Sequence, residues 1–248
     1  MIAALSAVIH FVIDLMVDFD YAAFVMGEQR GLGVGPVFKW GGRREGAGRK
    51  RIKPAGSVTH QVRPFHERRE PVLVTLKVLP GLPSLRWLPA ARAVGETIRA
   101  TTGRNARRGT GFRIVHFSIQ SDHVHMLVEA GSKTTLARGL AGLAIAMARR
   151  VNRVMDRRGK FFAERYHARA LSNPRAVRNA IVYVLLNHLH HRPDRRWVDP
   201  CSSGRWFTGW KARVPVPSTP SPVAVPLTWL LRTGWLHYGP IGFNEGPA

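Results

Sequence analysis

A chain of 248 residues can hold one well-cored domain with extensions, or two small domains. Its 38 Lys and Arg stand against 15 Asp and Glu, a formal charge of +23, which points to a polyanionic partner and first to nucleic acid, because neutralising phosphates releases counterions; a generally arginine-rich composition is the competing explanation. The single cysteine, Cys201, excludes an intrachain disulfide framework and a cysteine-based zinc site, and fits a reducing, cytoplasmic setting.

Residues 1–40 begin with an apolar stretch holding Ile9, Phe11, Val12, Ile13, Leu15 and Met16, interrupted by Asp14, Asp18 and Asp20. It is too short and too acidic to span a bilayer, and it lacks the basic start and cleavage site of a secretory peptide. A helix packing on the core and a dispensable segment are equally good readings. Residues 41–69 form a basic Gly/Arg-rich arm with no means of building a core. Its Arg43, Arg44, Arg49, Lys50 and Arg51 are candidate DNA contacts, set against the alternative of a solvated linker.

Residues 71–78 are β-branched and apolar and end at Pro80-Gly81, which predicts a strand. Ser84 is placed to cap a helix running irregularly past Pro89 to about Thr102. Residues 112–119 predict a second strand, and Gln120-Ser121-Asp122 a tight turn into a third that starts at His123. Thr134 or Thr135 opens a long helix with Leu136, Leu140, Leu143, Met147 and Val151 on one face. Residues 161–171 predict another strand, and Ser172-Asn173-Pro174 caps a helix bearing Tyr183. The order is that of an α+β protein with a ferredoxin-like antiparallel sheet and helices packed mainly on one face. On this reading residues 70–195 are the catalytic domain, flanked by the N-terminal extensions and by a Trp/Pro-rich tail, 196–248. Trp197, Trp206, Trp210, Trp229 and Trp235 make the tail a wrap held by aromatic anchors, with base stacking the lesser alternative.

In a strand, side chains two apart leave the same face, so His123 and His125 point together while Val124, Met126 and Val128 point into a core. Two adjacent imidazoles are half a metal site. On the later helix Tyr183 and Asn187 are one turn apart. A phenol nucleophile beside an amide that completes a His-His-Asn shell suggests phosphodiester chemistry, the phenol attacking phosphorus while a cation neutralises a non-bridging oxygen. Tyr166, beside Glu164 and His167, is the rival nucleophile. Tyr21 and Tyr238 lie in the N-terminal segment and the tail. Each motif alone has a bland reading, a structural His pair or an incidental zinc binder; their joint presence on so basic a chain favours catalysis. His167, His188, His190 and His191 read as phosphate contacts before a second metal site, and Glu129 and Glu164 are further candidate ligands or bases.

With these residues the sequence resembles the HUH single-tyrosine transposases, most closely the REP-associated tyrosine transposase branch, over roughly residues 72–191. His123-Val124-His125 matches the family's His-hydrophobic-His strand, and Tyr183 with Asn187 matches its nucleophile and the polar ligand four residues on. Asp122 stands where many members have Asn, and His188-Leu189 follows Asn187 where members commonly have Pro-Val. Ser202–Phe207 and Thr228–Leu231 resemble extensions of some members. The resemblance implies Mg²⁺ or Mn²⁺ as cofactor, single-stranded or hairpin DNA as partner, and a monomer or homodimer. It implies a metal-dependent tyrosine DNA endonuclease and strand transferase working through a covalent phosphotyrosine, with Tyr183 catalytic and His123, His125 and Asn187 on the metal; Arg165 and Arg169, spaced i and i+4 along the Tyr166 strand, are further candidate phosphate contacts by their spacing alone. The alternative is a non-catalytic, domesticated nucleic-acid-binding regulator on the same fold. Either would be cytoplasmic, associated with the nucleoid and not with a membrane.

Overall fold

The computed structural model describes residues 66–190 and 197–246. The segment 1–40, the arm residues Arg43, Arg44, Arg49, Lys50 and Arg51, and His191 lie outside the described residues. The elements are β1 (Val72–Lys77), α1 (Leu88–Arg108), β2 (Phe112–Ile119), β3 (His123–Ala130), α2 (Lys133–Val154), β4 (His167–Ala170) and α3 (Pro174–Leu186); the tail adds short 3₁₀ turns and a four-residue helix, α4 (Trp229–Arg232). The strands pair in the order β2-β3-β1-β4, every neighbour antiparallel, which is the ferredoxin-like sheet of an α+β protein.

Strand alternation divides the sheet into two chemically different faces. Val72, Val74 and Leu76 of β1 and Val124, Met126 and Val128 of β3 share a core with α1 and α2. Gly139 of α2 sits against the Phe112 ring so closely that a Cβ there would come within 2.3 Å of it. The opposite face carries Val115 and Leu127, and here α3 packs through Val177, Ile181 and Leu185 together with Phe207, Trp210, Leu230 and Trp235 of the tail. Two of the three long helices thus share one face, and the third, which bears Tyr183, covers the other. A bulge between Ile114 and His116 lets His116 pair with Leu127 and join Val115 on the α3 side.

The ends of the elements follow local chemistry. Pro89 lies in the first turn of α1, where its missing N–H costs nothing, so the helix starts at Leu88 and Ser84 instead braces the preceding turn by accepting from the Arg86 N–H at 3.2 Å. α1 continues beyond Thr102 to Arg108 and stops at Gly109, whose φ of 56° is left-handed. The cap of α2 is Ser132, its hydroxyl accepting from the Thr135 N–H at 3.1 Å. Asn173 caps α3, accepting from the Ala176 N–H at 2.8 Å, with Pro174 following. The strand expected over 161–171 is shorter. Phe162 bridges to Val78, the chain bends over Ala163–Arg165, and regular pairing resumes only at His167.

The tail is built into the α3 face. Trp210 and Trp235 are buried, with Phe207 5.1 and 5.4 Å from them, whereas Trp197 and Trp229 stay exposed. Glu129, considered above as a ligand or base, instead holds the tail. Its buried carboxylate accepts from the Thr228 N–H and hydroxyl, both at 2.8 Å, and from the Leu227 N–H at 2.9 Å, at the N-terminus of α4. Among the described residues no helix is long and apolar enough to cross a membrane.

Glu129→Ala removes the buried acceptor of these part-buried donors and is expected to cost about 1–3 kcal/mol in urea unfolding, with early proteolysis of the tail. His116 gives a pH signature. It is buried, packed edge-on against Phe207 at 5.3 Å, and burial pushes its imidazole down to about 4. The fold therefore requires the neutral ring, whereas the unfolded chain protonates it near the ordinary value of about 6.5. Its contribution is complete above that value and is lost as pH falls towards 4. Between neutral pH and pH of about 5 the loss is on the order of 2 kcal/mol, and His116→Gln should flatten that part of a stability–pH curve.

Candidate functional site

Because β3 is pleated, His123 and His125 leave the sheet on the α3 side, away from the core of Val124 and Met126. Their Nε2 atoms are 2.8 Å apart and their ring centroids 4.4 Å apart. The Tyr183 hydroxyl lies 3.1 Å from Nε2 of His125, with the two rings 4.7 Å apart. Three polar atoms from a strand and a helix distant in sequence therefore meet at one point.

Each imidazole is gripped from behind. Nδ1 of His123 donates to Oδ1 of Asp122 at 2.7 Å, and Nδ1 of His125 is 2.9 Å from the Thr75 hydroxyl. The hydrogen bond from His123 holds the Asp122 carboxyl below its usual range. Burial, reinforced by His123, pushes the His125 imidazole down to about 3, so that ring is neutral and has a lone pair to offer.

Register supplies the surroundings. Thr75 and Ser118 stand opposite His125 on either side, and Lys77 stands opposite His123. His167 continues the row through Thr75, and Arg169 stands opposite Leu73, so both share the histidine face. α3 packs over β2 and β3, while β4 is exposed along its length, so the sheet face beside Tyr183 stays accessible.

The turn before His123 is braced from three sides. Asp122 and Ser121 carbonyls accept from the Val78 and Leu85 N–H groups at 2.9 and 2.8 Å. Arg86 donates to the Ile119 carbonyl at 2.9 Å and makes a two-pronged pair with buried Asp199 of the tail at 2.7 and 2.8 Å. The tail segment adds an Ile119 N–H to Cys201 carbonyl bond at 2.8 Å and a Ser118–Ser202 bridge along the edge of β2.

The donor set suits a divalent cation. Two nitrogens on one small ion at about 2.1 Å, near a right angle, lie about 3 Å apart, close to the separation of this pair. Among the described residues no group of three or more His, Cys, Asp or Glu is arranged to hold a metal ion, so a third protein donor must be of another kind. The amide oxygen of Asn187 is a donor of another kind, the third ligand expected above. Asn187 is buried and follows Tyr183 by one helical turn at the end of α3. The chain does not leave the helix there but tightens into a 3₁₀ turn over Asn187–His190, as a backbone with His188 rather than proline allows.

The other candidates are dispersed. Tyr166 packs against the α1/α2 core, on the opposite face from the histidines, and with Arg165 and Glu164 lines a cavity of about 620 Å³ beside α2. Glu164 pairs with His167 at 2.9 Å, and His188 is buried. Sequence reading missed Thr75 as a partner of His125 and Lys77 as a neighbour of His123. Both come from cross-strand register, which leaves no local signal.

Residues 93–184 match the family model of IS200-like transposases, a span containing both histidines and Tyr183 and ending short of Asn187. No curated protein matches significantly. A solved structure described as a REP-associated tyrosine transposase bound to a REP hairpin is a distant likeness, 13% identical over 68% of this chain and 99% of that one, with a TM-score of 0.47. Over residues 93–184, which carry the His-Val-His strand and Tyr183, this chain is similar to the IS200-like transposases.

Proposed function

We propose that this chain is a metal-dependent tyrosine DNA endonuclease and strand transferase of the REP-associated type, cutting single-stranded or hairpin DNA. The observation that carries the reading is the Tyr183 hydroxyl 3.1 Å from Nε2 of His125, itself 2.8 Å from Nε2 of His123. His123, His125 and Asn187 would hold Mg²⁺ or Mn²⁺, which when bound supplies a positive charge for a non-bridging phosphate oxygen. Tyr183 attacks phosphorus, the bond to a deoxyribose O3′ breaks, the phenol gives up its proton and the departing oxygen gains one. The phosphotyrosine ester conserves the bond energy, so a 3′-hydroxyl can reverse the step and join strands without a nucleotide cofactor. Lys77, His167 and Arg169 offer positive or protonatable groups to the backbone along the uncovered sheet face, and the basic residues of the arm are separate candidate DNA contacts. Arg165, on the Tyr166 side, would meet only DNA that rounds the edge of β4. The protein would act on the nucleoid, as a monomer or homodimer, with 70–195 as catalytic domain, 196–248 as its structural completion, and 1–40 and 41–69 as apolar segment and arm.

Labelled hairpin DNA incubated with the protein and Mg²⁺ is expected to give an SDS-resistant adduct. The adduct should be lost in Tyr183→Phe, which has no oxygen to form the ester, and kept in Tyr166→Phe. The reverse pattern would transfer the nucleophile's role, and tight binding with no adduct under any divalent metal would leave a nucleic-acid-binding regulator. Chelation should abolish the adduct, and added Mg²⁺ or Mn²⁺ restore it. Asn187→Ala should raise the metal concentration for half-maximal adduct by at least about 10-fold, with Asn187→Asp retaining function.

A further inference from the structure

We infer that Asp122 and Thr75 are positioning residues for the cation site, acting on the two imidazoles from the side opposite the tyrosine. The inference rests on the reading of His123 and His125 as metal ligands and deepens it by saying which ring nitrogen each must present and what holds it there.

Donors and acceptors fix the two rings. A carboxylate only accepts, so the 2.7 Å contact between Asp122 Oδ1 and His123 Nδ1 places a proton on Nδ1. A neutral His123 then carries its lone pair on Nε2, the atom that faces His125 and the tyrosine. Thr75 works differently. A hydroxyl donates or accepts, so at 2.9 Å from His125 Nδ1 it fits either tautomer of that ring. It donates when His125 turns an Nε2–H towards the bare Nε2 of His123, and accepts when His125 offers its own lone pair to a cation. One ring is thus locked and the other is free to switch, without either leaving its place.

The supports are themselves fixed by the fold. Thr75 is the cross-strand partner of His125 in the middle of β1. The Asp122 carbonyl accepts from the Val78 N–H at 2.9 Å, and its second carboxylate oxygen is 3.9 Å from Lys77 Nζ. The rings are oriented by β1 and by the turn that β1 braces, so the site draws its geometry from the sheet and its nucleophile from α3. Groups that orient a ligating histidine through its other nitrogen typically change metal affinity by about 10–100-fold when removed.

Two measurements test this on the full chain. In metal-free protein at neutral pH, ¹⁵N correlation spectra of the histidines are expected to show His123 as the Nδ1–H tautomer, in wild type and Asp122→Asn, whose amide oxygen still accepts, but not in Asp122→Ala. A wild-type His123 protonated on Nε2 alone overturns the inference. In Co²⁺ titrations followed by absorbance, Asp122→Ala and Thr75→Val should each weaken binding by about 10–100-fold, while Asp122→Asn and Thr75→Ser stay close to wild type. Rescue by the conservative pair separates orientation from loss of structure. Unchanged affinity in Asp122→Ala and Thr75→Val, with binding abolished in His123→Ala, overturns the inference and leaves the cation site standing. Absence of Co²⁺ binding in wild type overturns both.

Discussion

The pleat of β3 is the constraint on which the rest of the molecule depends. It sends Val124, Met126 and Val128 into one core and His123 and His125 to the other face, and a slip of one residue would exchange the two sets. Such a slip would bury two imidazoles among aliphatic side chains and put three large apolar groups beside the tyrosine. The apolar alternation therefore fixes the register, and the register fixes the site.

The face so defined is occupied in a particular way. α3 and the tail cover β2 and β3 and reach Leu73 of β1, leaving β4 exposed along its length. Coverage excludes water from His125, which keeps the ring neutral and suited to bind a cation. Exposure alongside gives a polyanion a way in. The chain thus combines a strongly basic composition with a neutral, recessed His125 beside Tyr183.

The tail belongs to this design at both ends of the sheet. Glu129 holds the start of α4 at one end, and Arg86 with Asp199 ties the tail to the turn before His123 at the other. Both carboxylates are buried and saturated with donors, the condition under which a buried charge is tolerable. The exposed Trp197 and Trp229 contrast with the buried Trp210 and Trp235, so aromatic residues in this tail do more than one job.

Much of this was legible in the chain itself. Periodicities of two and of about 3.6 placed the strands and helices, the His-Val-His spacing put two imidazoles on one face, and Asn173-Pro174 located the start of the tyrosine helix. These are local signals, carried by neighbouring residues. The positions of Tyr183 and Tyr166 relative to the histidines are not a local matter. They depend on which face of the sheet each ring occupies, and only the packing of α3 opposite α1 and α2 puts Tyr183 beside the histidines and Tyr166 behind them. The same holds for Glu129, which in sequence is a free carboxylate near a histidine motif and in the fold accepts from the Leu227 and Thr228 N–H groups that lead into a helix about a hundred residues away. Thr75 and Asp199 gain their roles only from partners across the sheet and from the tail. Sequence determines what each element is, because that is a matter of spacing along one backbone; tertiary structure decides which elements share a face, because that depends on which apolar surfaces bury one another.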